Sequence, residues 1–168
     1  IVRDDGTEKV LHVSREGSVD WLCLPRFDSG ACFAALLGTR EHGRWLIAPV
    51  GEVRGTTRRY RGDSLVLETT HETADGVVRV VDCMPIRSGT PDLVRVVTGV
   101  RGRVPMATEL VIRFDYGSVV PWVRRQDHGI VAIAGPENLR LRSDVPLEGR
   151  GLARAGEFTV SEGEGVGF

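Results

Sequence analysis

Apolar and polar positions alternate with a period of two along most of this chain. The clearest run is 106–114, where Met106, Thr108, Leu110, Ile112 and Phe114 fall on one side. Over 65–72, Leu65, Leu67 and Thr69 alternate with Val66, Glu68 and Thr70. That is the pattern of a strand with one face against a core. Similar short β-branched runs place strands at 10–13, 19–24, 45–48, 77–84, 93–100, 119–125, 129–134, 139–142 and 158–160. Glu16-Gly17, Ala74-Asp75-Gly76 and Arg101-Gly102-Arg103 each connect two such runs and read as hairpin turns. Pro25 and Pro49 end the runs before them. Only 31–37 reads as helix, about two turns long and closed by Gly38. Asp28 or Ser29 stands where it can cap that helix. The segment 148–156 reads as a long loop. Strands without intervening helices predict an all-β fold: a single antiparallel β-sandwich over 1–168, with one short helix.

Composition narrows the function classes. The net charge is −1, so no global positive field exists to hold a polyanion, and a nucleic-acid partner is not expected. Only Lys9 among the 22 basic residues is a lysine, a bias better ascribed to coding-sequence composition than to a binding surface. No segment approaches the ~20 apolar residues that cross a bilayer, so no membrane partner is expected. His12, His42, His71 and His128 are scattered without metal-ligand spacing, and no metal or cofactor is expected. Neither a GxSxG elbow nor a glycine-rich phosphate loop is present. Cys23, Cys32 and Cys83 lack CxxC spacing. Free buried thiols are the favoured state, with a Cys23–Cys32 disulfide the alternative. Ile1 is not a methionine and no leader pattern follows it, while the chain stops without a closing element. The expectation is a piece of a longer cytoplasmic protein.

Candidate chemistry concentrates at 19–33. Asp20, Trp21, Arg26, Phe27 and Asp28 surround a strand-breaking proline. Arg26 can hold Asp20 or Asp28 through a bidentate pair. The bland reading is a structural strand–turn–helix corner. The functional reading is a loop that stacks aromatic rings on a sugar and hydrogen-bonds its hydroxyls. Asp20, Asp28, Asp82 and Asp115 supply carboxylates, but no spacing fixes two of them as the acid and base of glycoside hydrolysis. Asp82 and Asp115 stand at strand ends, where turn formation or ion pairing with arginine is the ordinary role. Arg58-Arg59-Tyr60-Arg61 and Trp122-Val123-Arg124-Arg125 mix basic and aromatic residues. Anchoring the carboxylates of a second domain fits them better than stacking bases. Trp21, Trp45 and Trp122 are expected in the core or an interface.

One segment carries a family resemblance. Ser14-Arg15-Glu16-Gly17-Ser18-Val19-Asp20-Trp21-Leu22-Cys23-Leu24-Pro25-Arg26-Phe27-Asp28-Ser29 resembles the opening of bacterial glycoside hydrolase family 15 proteins, the glucoamylase-like enzymes and α,α-trehalases. The similarity continues through Gly43-Arg44-Trp45, Leu67-Glu68-Thr69 and Arg113-Phe114-Asp115-Tyr116-Gly117. It departs at 1–9 and at Gly30, where a proline is common in the family. The resemblance implies an N-terminal β-sandwich, trehalase-like, that precedes an (α/α)6 barrel bearing both catalytic glutamates. By that implication this segment holds no catalytic residue and no cofactor. Its partner is the (α/α)6 domain of the same protein, with an α-glucoside as the ligand class. Asp20, Trp21, Arg26, Phe27 and Asp28 become rim or interface residues, and the exposed interface favours self-association of the isolated segment. The alternative is a free-standing carbohydrate-binding or interaction module.

Overall fold

The computed structural model describes residues 2–4, 7–85 and 90–168, and these are almost all strand. In chain order the strands are β1 (Val2–Asp4), β2 (Thr7–Lys9), β3 (Leu11–Val13), β4 (Ser18–Cys23), β5 (Ala31–Phe33), β6 (Arg44–Pro49), β7 (Val53–Tyr60) and β8 (Leu67–Thr73). They continue with β9 (Gly76–Cys83), β10 (Val94–Val111), β11 (Trp122–Gln126), β12 (Gly129–Ala134), β13 (Glu137–Arg142), β14 (Glu148–Arg150), β15 (Ala153–Ser161) and β16 (Gly165–Gly167). Every pairing between these strands is antiparallel.

One strand organises the molecule. The first half of β10 pairs with β9 and β16, and its second half pairs with β15 and β6. β10 therefore belongs to both layers of the sandwich. One layer runs β7-β8-β9-β10-β16, and the other runs β3-β4-β6-β10-β15-β14, with β5 beside β4. The hairpin expected at Arg101-Gly102-Arg103 is absent, because the strand bends there and does not reverse. A register shift falls between Gly99 and Arg101, and Gly102 takes φ +72°. A bulge of this kind turns a strand without ending it. Backbone crowding makes glycine necessary: a Cβ on Gly99 would lie 2.0 Å from the Ser161 carbonyl, and one on Gly102 would lie 2.3 Å from the Asp75 carbonyl.

The inner faces of both layers form one core. Val78 and Val80 of β9, Val97, Val104, Met106 and Leu110 of β10, and Trp45 and Ile47 of β6 meet there. Each such side chain contributes roughly 1.5–3 kcal/mol by leaving water. The sheet β11-β12-β13 adds Ile130, Ala132 and Leu141 to the same core.

Inside this core lies a charge. Arg95 is 0% exposed and Asp82 is 1% exposed. The Arg95 Nε donates to Asp82 Oδ1 at 2.7 Å, Nη1 to the Trp45 carbonyl at 2.7 Å and Nη2 to the Gly17 carbonyl at 2.8 Å. The guanidinium also sits 5.1 Å from the Trp45 ring centroid. Desolvating two ions is costly unless their hydrogen bonds are met, and here three of the guanidinium's donors are engaged. The cluster ties the Glu16-Gly17 turn and β6 of one layer to β9 and β10 of the other. Asp82 is thus an ion-pair partner of arginine.

The helix expected at 31–37 is not formed. Ala31–Phe33 is β5, paired with β4, and Ala35–Leu37 is a single 3-10 turn. Its N-cap is Ala34, which makes no side-chain cap bond, so neither Asp28 nor Ser29 caps it. A short apolar run is ambiguous by periodicity, and a vacant place beside β4 decided in favour of a strand. The loop expected at 148–156 is instead the hairpin of β14 and the start of β15.

Candidate functional site

The 19–33 segment forms a corner in which β4 leaves the sheet, turns at a cis Leu24–Pro25 peptide and returns as β5. Arg26 pairs with Asp28 in a bidentate contact at 2.8 and 2.9 Å. Hydrogen bonding to that guanidinium holds the Asp28 carboxyl below its ordinary range. Both groups are exposed. Ser29 Oγ accepts the Arg26 N–H, which closes the turn. Asp20 stands apart from this pair and accepts the Ser18 hydroxyl at 2.6 Å. Trp21 lies 5.9 Å from the Tyr116 ring, and Phe27 is 54% exposed. The five residues singled out from the sequence therefore share one corner but divide into separate contacts.

Tyr116 belongs to a second motif at this corner. Asp115 has φ +49°, Tyr116 φ +57° and Gly117 φ +101°, three consecutive residues in left-handed backbone. For non-glycine residues that conformation costs of order 1–3 kcal/mol each. The segment is held by Ser118 Oγ, which donates to Asp115 Oδ2 at 2.8 Å, and by Gly117 seated against the His42 side chain. The turn presents Tyr116 to Trp21 and to the exposed end of the corner. It was legible only through the resemblance.

One concave region borders the corner and a second lies apart from it. The larger is an 870 Å³ groove lined by Leu24, Pro25, Phe33 and Trp45, with Asn138 and Arg140 of β13 on its opposite wall. None of Asp20, Trp21, Arg26, Phe27 or Asp28 lines it. The smaller pocket, 340 Å³, lies between the 110–123 and 151–154 segments and holds Arg113, Arg154, Trp122 and Leu152. Arg113 is 5% exposed, yet among the described residues it forms no ion pair. Its Nη1 donates to the Ile112 carbonyl at 2.6 Å, and Glu41 reaches it only as a distant charge. Burial consequently pulls the Arg113 guanidinium below its ordinary pKa. Sequence reasoning missed this residue, because an arginine after an alternating strand reads as solvent-facing.

The basic–aromatic clusters divide similarly. Glu68 is buried and receives Arg59 at 2.8 Å and Arg61 at 2.7 Å, while Arg58 donates to the Val13 carbonyl. These arginines bind within the fold. Arg124 rests over Trp122 at 5.1 Å and Arg125 donates to the Leu147 carbonyl. Of the tryptophans, Trp45 is in the core and its indole N–H donates to Thr108 Oγ1, Trp21 is half-buried, and Trp122 is 65% exposed.

Chemistry elsewhere is muted. The three cysteines are free thiols; Cys32 is pushed up to about 12 by burial and the neighbouring Cys23, so it is not nucleophilic at neutral pH. Among the described residues no group of three or more His, Cys, Asp or Glu side chains is placed to hold a metal. No helix is long and apolar enough to cross a membrane.

The described residues form a two-layer antiparallel sandwich with a buried arginine clasp and an exposed aromatic corner. The trehalase-like N-terminal family model matches residues 6–146, and the chain belongs to that family. Trehalase 1 of Sulfolobus acidocaldarius is 36% identical over 134 residues, covering 79% of this chain and 23% of that protein. A trehalase of Thermoplasma volcanium is 25% identical over 141 residues, covering 80% of this chain and 23% of its own length. A trehalase of Mycolicibacterium smegmatis is 42% identical over 77 residues, covering 46% of this chain and 11% of its own. The chain thus spans less than a quarter of the relatives it resembles. No solved structure matches it significantly.

Proposed function

We propose that this chain is the accessory domain of a trehalase-type glycoside hydrolase. It packs against an (α/α)6 catalytic domain of the same protein and shapes the rim of its active site. The parent reaction is hydrolysis of an α-glucosidic bond with inversion, in which one carboxylic acid protonates the leaving oxygen and a carboxylate activates water. Both groups lie outside these residues. Trehalose is the first choice of substrate, with maltodextrins of the glucoamylase class second. Asp20, Trp21, Arg26, Phe27 and Asp28 are the proposed rim residues.

The supporting observation is the distribution of exposed apolar side chains. Phe27, Leu36, Leu37, Tyr116, Val119, Val120, Trp122 and Leu152 are all exposed. They fall at the corner, at the Ala35–Leu37 turn, and along 116–122 beside the smaller pocket. Contiguous apolar surface on a soluble domain marks an interface. The alternative, a free-standing carbohydrate-binding module, draws on the 870 Å³ groove. Titration calorimetry of the chain with trehalose and with maltose separates the two. The accessory reading predicts no heat of binding to the chain alone. Millimolar or tighter binding supports the module instead.

A further inference from the structure

We propose that the pocket holding Arg113 and Arg154 is a carboxylate socket for an aspartate or glutamate side chain of the catalytic domain. The inference rests on the accessory reading above and names the chemistry of its interface. Three observations carry it.

First, the arginines have no acid. Among the described residues neither Arg113 nor Arg154 forms an ion pair. Arg154 Nη1 donates only to the Ala153 carbonyl, at 3.2 Å. Arg95, which is fully buried, shows how this fold satisfies such a group, with a carboxylate and two carbonyls. Arg113 is almost equally withdrawn from water but opens onto the 340 Å³ pocket, and one carbonyl engages it. A mostly buried guanidinium that opens onto a concavity with a single carbonyl partner is complementary to an incoming anion.

Second, the mouth is apolar. Val120, Trp122 and Leu152 flank the arginines and are 54%, 65% and 65% exposed. A side-chain carboxylate brings methylenes that cover these surfaces, whereas a small inorganic anion leaves them wet. A buried charged contact ringed by apolar side chains is how interface energy is commonly concentrated.

Third, the relatives supply the missing polypeptide. The chain covers 23% of the Sulfolobus and Thermoplasma trehalases, so most of each relative lies outside this domain. Most arginines of the clusters that the sequence offers as anchors are committed elsewhere, since Arg59 and Arg61 close on Glu68, Arg58 on the Val13 carbonyl and Arg125 on the Leu147 carbonyl, while Arg124 rests over Trp122 at the pocket. Arg113 and Arg154 are the guanidiniums available at this pocket.

Hydrogen–deuterium exchange on the complete protein tests the socket. Arg113→Met and Arg154→Met should raise exchange at 119–123 and 151–154 at least tenfold, with β9 amides unchanged as the folding control. Arg154 is half-buried in β15, so its variant is the one read if Arg113→Met fails to fold. Trp122→Ser separates this inference from the reading beneath it. If Trp122→Ser raises exchange at the pocket and Arg154→Met does not, the surface is an interface but the socket is wrong. If the pocket amides exchange as fast in the complete protein as in the 168-residue chain, the socket is overturned and the docking face lies elsewhere. If no surface of the chain gains protection in the complete protein, the accessory reading falls as well. Protection of the pocket by inorganic phosphate in the 168-residue chain would assign it to a free anion and also overturn the proposal.

Discussion

Asp82 and Arg95 form a buried ion pair that joins the two layers of the sandwich. Asp82 Oδ1 accepts from Arg95 Nε, and both are buried to within 1%. Replacing Asp82 with Asn leaves the guanidinium without its counter-charge in the core. The expected cost is about 3–5 kcal/mol, read from the urea-unfolding midpoint; a loss below ~1 kcal/mol would mean the clasp is solvated. His71 is another buried titratable group on the same layer. Its Nδ1 lies 3.1 Å from Thr56 Oγ1, and its Nε2 has no protein partner. Burial holds its pKa below the ordinary value of 6.5. The native state therefore binds fewer protons than the unfolded chain below that value, and stability falls with falling pH. His71 favours folding fully above pH 6.5, and its contribution declines from there toward the depressed native pKa. His71→Leu should flatten the dependence of the urea midpoint between pH 7 and 5, and an unchanged slope would exclude His71 as its source. Neither Arg95 nor Arg113 was legible as buried, because a charged residue among strand positions reads as outward-facing. Only assembly reveals which polar groups the core has taken in.

At the scale of elements, alternation was sufficient where one face is dry. The 106–114 run lies largely in β10, and Val78, Val80 and Asp82 follow the inner face of β9. It failed where a strand is exposed on both faces. β7, Val53–Tyr60, has no consistently buried side, and its identity comes from pairing with β8. The Arg101-Gly102-Arg103 segment failed differently. Turn chemistry identified the bend, but whether a bend reverses a chain depends on which strands are available to pair. Gly102→Ala tests the bent-strand account. Its φ of +72° and the 2.3 Å approach to the Asp75 carbonyl predict a loss exceeding ~1 kcal/mol in thermal unfolding. Gly51, with nothing near its added Cβ and no left-handed φ, should tolerate alanine within about 0.5 kcal/mol.

At the scale of the whole molecule, Phe27, Tyr116, Val119, Val120, Trp122 and Leu152 give the domain an exposed apolar face. Separated from a partner, that face should drive self-association. Size-exclusion chromatography of the 168-residue chain should show an apparent mass that rises with concentration, and Trp122→Ser combined with Leu152→Ser should suppress the rise. The family was legible in the sequence through the 14–29 motif, since a single sharp corner dominates the resemblance. The face itself was not, because tryptophan and valine at strand ends read equally well as core. The central claim is that bond cleavage belongs to residues outside this domain. Glucose release from trehalose, assayed in parallel on the purified chain and on the complete protein containing it, tests that claim most directly. The account predicts turnover by the complete protein and none by the chain; glucose released by the 168 residues alone would contradict it.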